Sequence, residues 1–378
     1  MYTASRQMRV SIVMPSASPT GGAEEAFCQL LKSDAAKAIS WQAMFLEPGP
    51  LLERVAEWVE FATVIPSGRT REVWKWWYAV DQIVARTQAF DTDLMLSWMT
   101  KGHVYGGLAA WRLGIPAVWY QMGLPDYGFL ERASRQIPAS AILACSEFVA
   151  EEQRKAQPGA NVASIPLGVD LKRFSPELLP SPRTAREQLN LPVDGPIVGI
   201  VGRLQRWKGM HVVLDAMPDV LSNHPTTHCV VVGGPYPAEP QYQSELFDRA
   251  ERLGITQHVT FAGARNNVPV WMQAMDVFVH ASFREPFGIV VVEALALGKP
   301  VIACAPGGPS QIFGSEAVGT LVPFEDSKQL SDAICKNIER EEAASSNQTI
   351  ARRFSNETFS TEVVNFLHEH AGAASLAE

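Results

Sequence analysis

The sequence predicts an α/β chain built on doubly wound parallel sheets and divided into two domains. Three observations predict it. Short apolar runs alternate with helical segments along the chain. Some of these runs empty into Gly-containing loops that lead straight into a helix, the layout of a nucleotide-type α/β unit. The chain, at 378 residues, is also long for one domain, and two of about 150–200 residues are the natural division.

Composition narrows the class. Hydrophobic residues make up 47% of the chain and charged residues 19%, as in an ordinary globular protein. No apolar run approaches the roughly 18–20 residues that a spanning helix needs, and residues 1–8 lack the apolar core of a signal peptide. The cysteines, Cys28, Cys145, Cys229, Cys304 and Cys335, are scattered, and none has a Cys-x-x-Cys partner. Neither a zinc site nor a disulfide framework is expected, and a reducing cytosol fits best. The net charge of −8 argues against broad nucleic-acid binding but leaves room for a local basic pocket.

Each element has its own reason. Residues 9–15 read as a buried first strand, followed by a loop ending in Gly21 and Gly22. A helix then begins near Ala23, with Ala26, Phe27, Leu30 and Leu31 at helical spacing. The loop is either a plain strand-to-helix turn or a set of backbone N–H groups facing a phosphate or sugar. It matches neither the Gly-x-Gly-x-x-Gly fingerprint nor a P-loop. Further strands are expected at 41–46, 61–65, 94–98, 117–121, 141–144 and 163–166. Residues 69–88 read as a helix with Val73, Trp74, Trp77, Val80, Ile83 and Val84 on one side, and Arg69, Arg71, Lys75 and Arg86 nearby. It packs on the core, or it lies on a membrane surface. His103 falls just past a strand end, where open α/β sheets bind ligands; a structural His is the competing reading. Residues 177–184, rich in Pro and polar side chains, are the expected linker.

A second α/β series starts at the buried strand 197–201, which empties into the loop Gly202–Gly209 and a helix over about 210–221. Arg203 and Lys208 place two cations on a Gly-bounded loop before a helix N-terminus, the physical recipe for a diphosphate. Strands at 229–232, 259–263, 277–279, 301–303 and 320–323 follow, with helices near 241–253, 270–275 and 330–338 and a last helix over about 356–368. The tail 371–378 reads as loose. Within 279–298, Glu285 lies on a polar turn, Phe287 and Gly288 close that turn, and Glu293 lies in the helix beginning at Ile289. A lone Glu in a buried apolar segment needs a partner, and a Gly-started helix is a ready anion site. The stretch therefore suits a ligand with both hydroxyls and phosphates.

Taken together, the motifs resemble those of retaining, nucleotide-sugar-dependent glycosyltransferases of family 4, which have the GT-B fold. The residues that carry the resemblance begin with Gly21, Gly22, Ala23 and Glu24, the stretch Pro166–Asp170, and Phe174 to Pro176. They continue with Gly202-Arg203, Lys208-Gly209, Gly233-Gly234, Phe261 to Gly263, and the Glu-x7-Glu unit of Glu285 and Glu293. The resemblance covers nearly the whole chain.

It implies two Rossmann-like domains facing a central cleft. The acceptor-side domain would span 1–175, with the helix 356–370 crossing back onto it, and the nucleotide-sugar domain 190–355. It also implies roles. Arg203 and Lys208 would hold the donor's diphosphate and neutralise the leaving nucleotide, removing the need for a metal ion. Glu293 would bond the ribose diol and Glu285 the transferred sugar. The backbone of Phe287, Gly288 and Ile289 would reach sugar and phosphates, Gly263 and Arg265 would lie near the base, and Gly21 and Gly22 would close over the donor. No cofactor is implied, since the nucleotide sugar, expected to be a UDP-sugar, is a co-substrate. Retention would proceed on one face of the sugar, the departing phosphate helping to deprotonate the acceptor hydroxyl.

Two positions depart from the family pattern. Many relatives carry a His where this chain has Gln121 and Met122, so the role often given to that His has no direct counterpart, and His103 is the nearby polar candidate. Ala281-Ser282 stands where relatives often have Pro-Ser. The expected activity is transfer of a hexosyl group to a hydroxyl acceptor in glycan, glycolipid or small-glycoside biosynthesis. A GT-B epimerase, a phosphorylase and a non-catalytic nucleotide-sugar binder are the alternatives. The expected location is cytoplasmic, with a peripheral contact at the inner membrane face left open.

Overall fold

The computed structural model describes residues 6–18, 21–68, 72–126, 128–315, 318–340 and 344–372. The chain divides into two compact units, one made of Met1–Gly168 with Asn356–Glu378 and the other of Val169–Ser355.

In the first unit seven strands form a parallel sheet. They are β1 (Met8–Met14), β2 (Ile39–Phe45), β3 (Phe61–Val64), β4 (Leu94–Trp98), β5 (Ala117–Gln121), β6 (Ala141–Ala144) and β7 (Val162–Ser164), in the order β3-β2-β1-β4-β5-β6-β7. Six more form the sheet of the second unit. These are β8 (Ile197–Val201), β9 (His228–Val232), β10 (Val259–Gly263), β11 (Val277–His280), β12 (Val301–Ala305) and β13 (Gly319–Pro323), in the order β10-β9-β8-β11-β12-β13. Helices cover both faces of a doubly wound sheet, so its central strands are apolar on both sides rather than alternating. β4, β5, β8, β9 and β11 are accordingly buried at every position. In each sheet the order reverses beside the first strand, between β1 and β4 and between β8 and β11. Loops at the C-terminal ends of such strand pairs separate, and ligands bind there.

The boundary between the units falls at 168/169, so residues 169–175 belong to the second unit. The Pro-rich stretch expected as a linker is partly folded. Ser181 accepts a hydrogen bond from the Thr184 N–H (3.2 Å) and caps the helix Pro182–Gln188, with Pro182 in its first turn. Arg186 of that helix is buried and pairs with Asp276, and it also donates to the Ala274, Val193 and Gly195 carbonyls. The last helix, Asn356–Ala371, belongs to the first unit, where Phe359, Val363, Val364 and Leu367 are buried. Residues 373–378 of the expected loose tail lie outside the described residues.

The helix expected over 69–88 runs from Val73 to Ala89 and presents a different face from the one expected. Val80 and Ile83 are buried and Val84 packs against them, but Trp74 is 68% and Trp77 47% exposed. Trp76 takes their place, edge-on to Tyr105 at 6.2 Å. Counting Trp, a strongly apolar residue, as part of the inward stripe shifts the predicted face; the helical set that meets the core is 76, 79, 80 and 83. Arg69 and Arg71 lie outside the described residues. Among the described residues no helix is long and apolar enough to cross a membrane.

Ile83→Ala, which opens a cavity in a fully buried site, is expected to cost about 2–5 kcal/mol. Trp74→Ala removes an exposed ring and should stay within about 0.5 kcal/mol of the parent. Urea unfolding of both variants checks the assignment, and equal losses would contradict it.

Candidate active site

In the second unit the polar residues singled out from sequence gather where β8 and β11 diverge. The chain leaves β8 at Gly202, carries Arg203 and Lys208, and turns at Gly209 into the helix Met210–Asn223. Gly209 has φ +73°, and a Cβ on it would stand 2.0 Å from the Ala281 carbonyl oxygen, so only glycine lets this loop touch the one after β11. The contact is continued by the Phe283 N–H, which donates to the Trp207 carbonyl (2.7 Å), and by the Gly308 N–H, which donates to the Glu285 carbonyl (2.7 Å). Three loops, after β8, β11 and β12, are thereby fixed to one another by backbone.

Glu285 is the centre of this arrangement. Lys208 Nζ donates to its Oε2 at 2.6 Å, and His280 Nε2 lies 3.0 Å from the same oxygen. The Lys208 and Glu285 side chains are 15% and 10% exposed, and that of His280 is 2% exposed. Burial alone would raise the Glu285 pKa; the Lys208 charge and the His280 hydrogen bond outweigh it and hold the carboxyl well below the usual range. Glu285 is therefore a carboxylate at neutral pH. Lys208 also lies 4.0 Å over the Trp207 ring.

The remaining donor-side candidates surround this cluster at the C-terminal edge of the sheet. Arg203 is exposed, with its guanidinium 5.1 Å over the Tyr236 ring. Phe287 is buried against Phe354, and Gly288, at φ +98°, caps the helix Ile289–Ala296, so the backbone N–H groups of that helix start beside Glu285. Glu293 is half-buried in the same helix. Gly263 ends β10 and is followed by the exposed Arg265, which lies over Trp271 at 5.6 Å. β10 is two strands from β8, a separation of about 10 Å. Among the described residues no three His, Cys, Asp or Glu side chains are grouped as metal ligands would be.

Gly21, Gly22, His103, Gln121 and Met122 belong to the first unit. Gly21 caps the helix Gly22–Lys32. Gln121 and Met122 end β5 and are buried. His103 does not reach the sheet edge. Its ring is fully buried and stacked on Trp119 at 4.8 Å, with Nε2 3.3 Å from the Ile137 carbonyl. Burial lowers its pKa to about 4, so it is a neutral core histidine.

Sequence reasoning missed one residue of the second-unit cluster, His280. The available signal was a polar residue closing an otherwise apolar strand, five positions before Glu285. Ser282 is buried and its Oγ has no hydrogen-bond partner.

Comparison with known proteins accords with this geometry. Residues 6–173 match the family described as Glycosyltransferase Family 4, and residues 182–354 match Glycosyl transferases group 1. The chain belongs to the family 4 glycosyltransferases.

The lipopolysaccharide core biosynthesis mannosyltransferase LpsB of Rhizobium meliloti is 35% identical to this chain over 172 residues, 44% of this chain and 47% of LpsB. A D-inositol 3-phosphate glycosyltransferase of Corynebacterium urealyticum is 34% identical over 179 residues, 46% of this chain and 42% of the relative. The chain thus spans about half the length of the curated relatives it matches. Among solved structures, Anabaena Alr3699/HepE in complex with UDP-glucose superimposes with a TM-score of 0.82 and 26% identity, covering 96% of this chain and 100% of that one. The fold is GT-B, built of two Rossmann-like parallel-sheet units.

The depressed Glu285 pKa has a measurable consequence. A carboxylate whose folded pKa is lowered contributes stability that is complete above its unfolded value, about 4.3, and is lost as pH falls toward the folded value. Plotted against pH on the acid side, the unfolding free energy of the parent should climb more steeply than that of Glu285→Gln. Parallel curves would show that the pair in the folded protein does not perturb Glu285.

Proposed function

We propose that the protein is a retaining glycosyltransferase that moves a sugar from a nucleotide sugar, most simply a UDP-sugar, to a hydroxyl of an acceptor in glycan, glycolipid or small-glycoside biosynthesis. The observation that carries the reading is the buried Lys208–Glu285–His280 cluster at the β8/β11 divergence, with Arg203 on the same loop as Lys208. The likeness to HepE, which was solved with UDP-glucose, supports the choice of nucleotide.

In this reading Lys208 and Arg203 take the diphosphate, a doubly charged ligand that competes with Glu285 for the Lys208 ammonium. The helix start at Phe287, Gly288 and Ile289 adds backbone donors and the helix dipole. Glu293 bonds the ribose hydroxyls, and Gly263 and Arg265 lie by the base. Glu285, kept ionised by His280 when Lys208 turns to phosphate, faces the sugar. As the bond from the anomeric carbon to the phosphate oxygen breaks, negative charge grows on the nucleotide, and Lys208 and Arg203 stabilise it. The acceptor oxygen bonds to the anomeric carbon on the face the phosphate leaves, and its proton passes to the departing phosphate. No protein nucleophile is required, and Glu285 acts through its charge and position.

Incubation with a panel of UDP-sugars, with UDP release as the signal, tests the activity. Release that depends on a hydroxyl acceptor is the expected result. Release driven by inorganic phosphate would point to a phosphorylase, sugar interconversion to an epimerase, and nucleotide binding without turnover to a binding protein. In the same assay Glu285→Ala should lower kcat about 10²–10³-fold, as loss of a preorganised electrostatic group does, with a much smaller change in UDP affinity. Full turnover by Glu285→Ala would remove Glu285 from the mechanism.

We also propose a peripheral membrane contact through the helix Val73–Ala89. Trp74, Trp77 and Tyr78 are 68%, 47% and 58% exposed and share one helical face, with Lys75 beside them. The parent should co-sediment with vesicles containing anionic phospholipid, and a Trp74→Ala, Trp77→Ala double variant should remain in the supernatant. Equal sedimentation of the two would exclude this face.

A further inference from the structure

The first unit holds a buried carboxylate at the C-terminal edge of its sheet. Three residues from separate segments meet there. Thr100 opens the helix Met99–Leu113 just after β4, Gln121 ends β5, and Glu131 lies in the short helix Phe129–Ser134. Thr100 Oγ1 lies 2.5 Å from Glu131 Oε1 and 3.1 Å from Gln121 Oε1, and Gln121 Nε2 donates to Glu131 Oε1 at 3.2 Å. Glu131 is 6% and Gln121 1% exposed. The second carboxyl oxygen, Glu131 Oε2, is buried without a hydrogen-bond partner. Two residues beyond Gln121 the chain borders open space, since a Cβ on Gly123 would meet nothing within 4 Å.

Donors and acceptors do not balance within this cluster. A threonine hydroxyl supplies one proton, and it faces two oxygens, Glu131 Oε1 and Gln121 Oε1. The Gln121 amide serves Oε1 again. Nothing serves Oε2, and a buried polar atom left so costs the folded protein free energy unless a ligand completes it. Burial raises the Glu131 carboxyl above its ordinary range, while the Thr100 and Gln121 hydrogen bonds act against the rise. Ionised, Oε2 lacks a donor; protonated, its O–H lacks an acceptor. A hydroxyl answers both states, because it donates and accepts. A phosphate or carboxylate would bring like charge against a buried carboxylate and is disfavoured.

We propose that Thr100, Gln121 and Glu131 form a binding site for a hydroxyl of a neutral polyol or sugar, bonded at Glu131 Oε2. Naming that ligand as the acceptor rests on the glycosyl-transfer reading above; the hydroxyl site itself does not. The site lies at the C-terminal end of β5, and it assigns a part to Glu131.

The test uses the full chain with methyl α-D-glucopyranoside as the neutral probe and its glucuronide counterpart as the anionic control. The Glu131 carboxyl ¹³C resonance, identified by its absence in Glu131→Gln, reports occupancy, and UDP release from UDP-glucose is followed in the same samples. The neutral glycoside should shift that resonance and lower its titration midpoint, since a donated hydroxyl hydrogen favours the ionised form; the glucuronide should do neither. Glu131→Gln and Thr100→Val should weaken the glycoside about ten-fold or more and leave the KM for UDP-glucose unchanged, with thermal unfolding confirming that each variant is folded. An unmoved resonance with the neutral glycoside, or equal affinity in Glu131→Gln, would overturn the site. A shifted resonance with no UDP release from any UDP-sugar of the panel would leave the site standing and sink the transferase reading, whereas release with an unmoved resonance would do the reverse.

Discussion

The buried pair between Lys208 and Glu285, 2.6 Å apart, ties the loop after β8 to the loop after β11. Removing two charges from water costs several kcal/mol per ion, and their attraction recovers this only with good geometry and further hydrogen bonds. Here His280 supplies the further bond, to the same carboxylate oxygen. A fold that needed only stability would do as well with apolar side chains at these positions. Two charges kept at a strand divergence, on loops held by backbone contacts around Gly209 and Gly308, make more sense as a site awaiting a charged ligand.

In the proposed reading, that arrangement sets the terms on which a diphosphate would enter. Lys208 already occupies a fixed position, so little side-chain freedom remains to be lost when its partner changes from carboxylate to phosphate. The exchange would leave Glu285 short of one cation, and His280, buried against the same carboxylate oxygen, is the group placed to keep it ionised. Arg203, exposed over Tyr236, is not engaged with Glu285 and can meet phosphate without an exchange. In the proposed reaction the two cations therefore differ, one released from an internal partner and the other free to adjust.

Much of this was legible in the sequence. All thirteen strands coincide with expected ones to within about two residues, because strands buried on both faces read as uninterrupted apolar runs. The β8 loop and the Glu285 turn were visible for the same reason, as polar breaks between such runs. Helix faces were less legible. Trp74 and Trp77 count as apolar in any pattern, yet the core takes Trp76. The helix Pro182–Gln188 was hidden by its Pro and Ser content, although Ser181 before Pro182 is itself a helix-start signal. His280 and Glu131 were harder to read as partners. The first showed only as a polar residue closing an apolar strand, and the second meets Thr100 and Gln121 only through tertiary packing.

The two units meet their polar demands in opposite ways, and the difference bears on specificity. In the proposed reading the second unit would answer a charged ligand with a preformed set of opposite charges, Lys208 and Glu285 already partnered. Any nucleoside diphosphate offers those cations the same anion, so this cluster alone separates one donor sugar from another poorly. The first unit leaves a buried carboxylate oxygen without a partner. A site of that kind discriminates strongly, because an analogue lacking the expected hydroxyl leaves the polar atom unpaired in a dry environment, a penalty larger than the gain from any added apolar contact. On the proposed reading, choice of acceptor should then reside in the hydrogen-bond deficit around Glu131. Filling that deficit from within, by a side chain that donates to Oε2, would make the first unit more stable and less selective together.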